Sequence, residues 1–185
     1  MKLYWIIFLF TTVVLSQNTD DEYESNKIIW NQDKKLEWKD FTGALDPNLF
    51  GNALTSYKIE IIPENVLVDA EDNIQNYENL TVVAKFYKDK SWVTSRTDGL
   101  LAHEQLHFDI AELYARKIRK KFSELKSVNE QRFAVYASAY ELLWQECREY
   151  QKMYDSQTKN GILTEENNIW INKVLNEIME LNEFK

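Results

Sequence analysis

The chain contains a single cysteine, Cys147, in 185 residues, which excludes an internal disulfide. That is unusual for a eukaryotic secreted domain and ordinary for a bacterial periplasmic or extracellular one. Stability must then come from packing, and six Trp, ten Tyr and nine Phe supply large rings for it. Positive charge is also scarce: 22 Lys and Arg face 30 Asp and Glu, a net charge of −8. With no basic patch interleaved with aromatics, no nucleic-acid partner is expected. The acidity favours solubility and is compatible with cation binding. Neither an internal repeat nor a low-complexity tract is present, and no third histidine accompanies His103 and His107.

A bilayer-spanning run is missing as well. The opening residues, MKLYWIIFLFTTVVLSQ, place Lys2 before an apolar and hydroxyl stretch from Leu3 to Leu15, shorter than the ~20 residues a membrane helix needs. This is the pattern of a cleaved secretory signal, residues 1–16, with Val14 and Ser16 small enough to precede a cut after Ser16. No cysteine lies near that cut to carry a lipid, so the expected product is secreted or periplasmic, without a stable membrane anchor. Residues 17–27 are polar and acidic and read as a flexible lead-in. Residues 28–185 are long enough for one domain with a substantial core.

Within that domain the elements change type once. IIWNQDKKLEWKDF, Ile28 to Phe41, suggests one or two short strands and a turn, and further strands are expected at Leu54 to Ile62, Asn65 to Val68 and Leu80 to Tyr87. Pro63-Glu64-Asn65 and the polar Glu71 to Glu78 supply turns. Beyond Thr97 the apolar spacing becomes helical: one helix over Gly99 to Leu125 with Asp98 as N-cap, a second over Asn129 to Asp155, a stop at Asn160-Gly161, and a third after Leu163-Thr164. The predicted fold is α+β, a small antiparallel or mixed sheet followed by three long helices in a zincin-like arrangement.

The two histidines stand four apart in LLAHEQLHFDIAE with Glu104 directly after the first, the pattern HExxH. At about 100° per residue, His103 and His107 lie roughly 40° apart on one helix face, so both imidazoles can converge on one ion. Glu104 flanks that face, where it can take a proton from water without binding the metal and pass it to a leaving amine. A metal there, Zn²⁺ by the ligand type, would polarise a scissile carbonyl and lower the pKa of water. The alternative is that two histidines fell into this register by chance, with Glu104 an ordinary solvated residue.

A tetrahedral zinc site needs a third protein ligand. On the same helix Glu112 lies about 180° from His103 and Asp109 about 120° away, so neither can close the site. The candidates are Glu141, Glu146, Glu149 and Asp155, and Asp155 is favoured because Tyr154 and Thr158 can orient it in YDSQT. Asp155 can equally serve as a helix-terminus residue. The strand Leu80 to Tyr87 is a candidate edge for pairing an extended substrate, and Ser91-Trp92 a candidate cleft wall.

LLAHEQLHFDIAELYAR, the upstream LEWKDFTG, the SW before the helix and the downstream QKMYDSQTKNG together resemble the bacterial domain-of-unknown-function family 922, whose members are regarded as secreted zinc proteases. The resemblance spans about Trp30 to about Trp170. It implies that His103 and His107 are metal ligands, that Glu104 is catalytic, and that the segment around Asp155 approaches the site. One departure stands out. Where that family reads YD, two residues, T, one residue and HG, this chain has Asn160 before Gly161. If the family's histidine is its third ligand, Asp155 substitutes for it here or the metal is held weakly. The expected function is a secreted zinc metallopeptidase acting on a peptide or protein substrate; the alternative is a weak or inactive binding protein of the cell envelope.

Overall fold

β-branched and aromatic residues crowd the segment TVVAKFY, and it forms the longest strand, β4 (Thr81–Tyr87), in the computed structural model, which describes residues 25–45 and 51–185. β1 (Lys27–Ile29) and β3 (Tyr57–Ile62) flank β4, both antiparallel, with Ile28 opposite Phe86 and Ile59 opposite Ala84. A separate two-stranded pair joins β2 (Ala53–Leu54) to β5 (Trp92–Val93). Asn65 to Val68 does not form a strand; Val68 makes one isolated bridge to Ile74. β1 begins at Lys27, one residue inside the expected lead-in. The expected signal, residues 1–16, lies outside the described residues.

Three helices follow, as the apolar spacing predicts: α1 (Asp98–Ser127), α2 (Phe133–Thr158) and α3 (Thr164–Glu180). The architecture is therefore α+β, a small antiparallel sheet and then helices. The N-cap of α1 is Thr97, whose hydroxyl accepts from the Leu100 amide at 3.2 Å, while Asp98 sits in the first turn. α2 starts four residues later than its apolar pattern suggests. Asp72, remote in sequence, supplies the acceptors for its first amides: its carbonyl takes Phe133 N–H at 2.9 Å and its carboxylate takes Ala134 N–H at 2.8 Å. At its other end α2 runs through Thr158, and Lys159, Asn160 and Gly161 then adopt positive φ and stop it.

α1 is the central element. Its apolar side chains Leu106, Phe108, Ile110, Leu113 and Ile118 are almost fully buried, in one core with Val82, Ala84 and Phe86 of β4 and with Tyr154, Trp170 and Val174 of the later helices. On its polar side, Glu112 accepts from Arg116 Nε at 2.9 Å and from Arg119 Nη2 at 2.6 Å. The arginines reach onward, Arg116 to the Ile178 carbonyl at 2.8 Å and Arg119 to the Val82 carbonyl at 2.9 Å. These charge-assisted bonds tie α1 to α3 and to the sheet. Among the described residues no helix is long and apolar enough to cross a membrane.

Candidate metal centre

His103 and His107 leave α1 one turn apart on one face, and α2 runs past that face with Gln151, Tyr154 and Asp155. The two Nε2 atoms lie 3.1 Å apart. Asp155 Oδ1 stands 3.4 Å from His103 Nε2 and 3.1 Å from His107 Nε2. These three side chains form a group of potential metal ligands. Asp155 Oδ1 is buried without a hydrogen bond of good geometry, although it is within ion-pair distance of both imidazoles. The three atoms face a common point, where a cation or an imidazolium proton could satisfy the buried carboxylate oxygen.

The spacing can be tested against coordination geometry. Donors about 2.0–2.2 Å from a tetrahedral ion stand roughly 3.3–3.6 Å from one another, and neighbouring donors at similar range in an octahedron stand roughly 3.0 Å apart. The observed 3.1, 3.1 and 3.4 Å fall across these two ranges. The three side chains therefore fit one small divalent cation without large rearrangement.

Their orientation is enforced from α2. Gln151 Oε1 is 2.5 Å from His107 Nδ1, and Gln151 Nε2 donates to the His107 carbonyl at 2.9 Å. The amide's acceptor oxygen favours the tautomer with the proton on Nδ1, which leaves the Nε2 lone pair directed at Asp155. Tyr154 stacks on the His103 ring, 4.8 Å between centroids with 29° between planes. Its hydroxyl bonds the Asn167 side chain of α3, which fixes the ring in turn. Gly161 also presses against His103: a Cβ there would lie 2.7 Å from the imidazole Cγ, and its φ of +79° suits glycine. Tyr154 and Gly161 both confine His103.

The charges of the three groups compensate one another. Burial opposes ionisation of Asp155, but the adjoining His103 and His107 hold its carboxyl well below the usual range. Burial likewise disfavours the His107 imidazolium, yet Asp155, then Glu104 and Gln151, raise its pKa overall. Glu104 is buried and lines the same cavity, about 530 Å³ in volume, as do His103, His107, Gln151 and Asp155. Its own backbone carbonyl accepts from the Thr55 hydroxyl at 3.2 Å, which joins α1 to the cavity wall.

Residues 82–161 match a family model. It is described as a bacterial protein of unknown function, DUF922. No curated protein and no solved structure matches the chain. The DUF922 match covers all of α1 and α2 and ends at Gly161, so it includes His103, Glu104, His107, Gln151 and Asp155. The cavity wall from Gly51 to Thr55 and helix α3 lie outside it.

The sequence-predicted residues have separate fates. His103, Glu104, His107 and Asp155 meet at one cavity, whereas Glu141, Glu146 and Glu149 are exposed away from it. Asp155 sits inside the last turn of α2 rather than at its end. Neither Tyr154 nor Thr158 bonds Asp155: Tyr154 serves His103, and the Thr158 hydroxyl donates to the Tyr154 carbonyl at 2.9 Å. β4 is not the free edge expected of it, because β1 and β3 occupy both its sides. The strand along the cavity is β2, paired among the described residues only with β5. Trp92 is buried in β5 and does not line the cavity. Gln151 was not singled out from sequence, although it precedes Asp155 by four residues and shares its helix face by the rotation that unites the two histidines. Tyr57 and the β2 segment carry no local signal at all.

Proposed function

We propose that this chain is a zinc-dependent peptidase acting outside the cytoplasm, with His103, His107 and Asp155 holding the metal and Glu104 as general base and acid. The observation that carries this reading is the convergence of two imidazole nitrogens and one carboxylate oxygen within mutual distances of 3.1–3.4 Å, with Glu104 in the same cavity. Asp155 completes a three-donor set, so the asparagine at position 160 does not leave the centre one ligand short. The apolar leader at residues 3–15 supports the extracytoplasmic placement.

Zinc, when bound, supplies a Lewis acid for the scissile carbonyl and makes water a better nucleophile near neutral pH. Glu104 takes one proton from the attacking water as the water oxygen bonds the carbonyl carbon. It returns that proton to the amine nitrogen as the C–N bond breaks. Gln151 keeps the His107 lone pair directed inward throughout, while Tyr154 and Gly161 restrain His103.

Two histidines and one carboxylate are also the donor set of non-haem iron oxygenases. Glu104 favours hydrolysis: a buried carboxylate beside the ligands, outside the donor set, is what proton transfer from water requires. Glu104→Gln should retain zinc and lose hydrolysis by about 10²–10⁴-fold. Undiminished turnover in that variant, measured on a casein-derived peptide mixture, rules out the mechanism.

A further inference from the structure

Among the described residues, no lysine or arginine lines the cavity. A peptidase that removes C-terminal residues must hold an α-carboxylate, and burying that charge without a cationic partner is costly. An enzyme that removes N-terminal residues needs the complementary feature, a carboxylate free to pair with the α-ammonium. Among the described residues the carboxylates of the lining are Glu104 and Asp155, both assigned to the centre in the peptidase reading, so neither end of a peptide finds a further charged partner among them.

The lining also includes large apolar side chains. Leu54, from β2, is 37% exposed, Leu100 projects from the first turn of α1, and Ile162, just after Gly161, is 76% exposed. Ile162 is the most exposed large apolar side chain among the described residues, and it borders the cavity rather than a distant surface. An exposed side chain of this size at a cleft mouth offers contact area to an apolar group.

We propose that the cavity accepts interior segments of a polypeptide, with an apolar side chain seated against Leu54, Leu100 and Ile162 next to the cleaved bond, and does not recognise chain termini. The proposal rests on the peptidase reading and narrows it to an endopeptidase of apolar preference.

The test uses the zinc-loaded protein and internally quenched peptides, acetylated and amidated at their ends, that differ only in having Leu, Phe, Lys or Glu at each central position. A matching set with free ends is run beside them. The expected result is cleavage of the blocked peptides beside Leu or Phe, with kcat/KM at least tenfold above the Glu peptides. Ile162→Asp should erase about tenfold of that preference while zinc content stays unchanged. Release of terminal residues only, from free-ended peptides, overturns the inference and leaves the peptidase reading standing. Equal cleavage at all four side chains, or an unaltered preference in Ile162→Asp, overturns the apolar assignment. No turnover of any peptide at one bound zinc per chain overturns the peptidase reading, and this inference with it.

Discussion

Gln151 grips His107 at two points, ring nitrogen and backbone carbonyl, and is itself 6% exposed. Such partners set ligand orientation and basicity. Gln151→Leu removes both bonds at similar volume and should weaken zinc binding about 10–100-fold, read by competition with a chromophoric chelator. An unchanged affinity would show that the His107 ring is positioned by packing alone. The histidine pair and Glu104 were legible in sequence because their relation is local, fixed by the rotation of one helix. Asp155 was favoured among four carboxylates for its neighbours Tyr154 and Thr158, which do not bond it; its distance from His103 depends instead on how α2 packs against α1. Gln151 went unseen for a related reason: an uncharged amide has no chemistry of its own until the partner it meets is known.

At the scale of the elements, α1 carries the proposed ligands His103 and His107 on one face and anchors on the other. Asp109 accepts from Trp30 Nε1 at 2.7 Å and from Gln105 Nε2 at 2.9 Å, and Gln105 in turn accepts the Leu36 amide at 2.7 Å. The segment from Trp30 to Leu36 is pinned to the helix by these bonds. Asp109→Ala leaves the Trp30 indole N–H unpaired and should cost about 1–3 kcal/mol in denaturant unfolding, with zinc content unaltered; a loss of zinc would place Asp109 in the centre itself. Apolar spacing identified the three helices, since each has several turns of it. It misplaced the start of α2, because the acceptors that open that helix come from Asp72, 61 positions before Phe133. β5 was beyond reach, since a two-residue strand contains no period to read, and the strand expected from Leu54 to Ile62 divides into the end of β2 and all of β3. The central position of β4 was equally invisible, as nothing in TVVAKFY says how many neighbours it will have.

At the scale of the whole molecule, the buried Cys147 thiol is one group whose neutral form the fold favours. Burial pushes the Cys147 thiol up to about 12 from an ordinary value of 9, against smaller opposing effects of Tyr57 and Gln151. Between those two values the unfolded chain has lost the thiol proton and the folded chain keeps it. Its contribution is therefore complete below pH 9 and falls as pH rises from 9 toward 12, by at most ~1.4 kcal/mol per pH unit. Denaturant midpoints measured between pH 8 and 11 should decline, and Cys147→Ala should flatten part of that decline. A decline of the same slope in the variant would assign it entirely to other groups, such as Tyr140, whose hydroxyl burial pushes to about 12.

The central claim is that three side chains from two helices hold one zinc ion. Its most direct test is metal content by mass spectrometry on purified protein, wild type beside Asp155→Ala and Glu104→Gln. The account predicts one zinc per chain in the wild type and in Glu104→Gln, and a marked loss in Asp155→Ala. Full zinc occupancy in Asp155→Ala, or none in the wild type after incubation with excess metal, would contradict it.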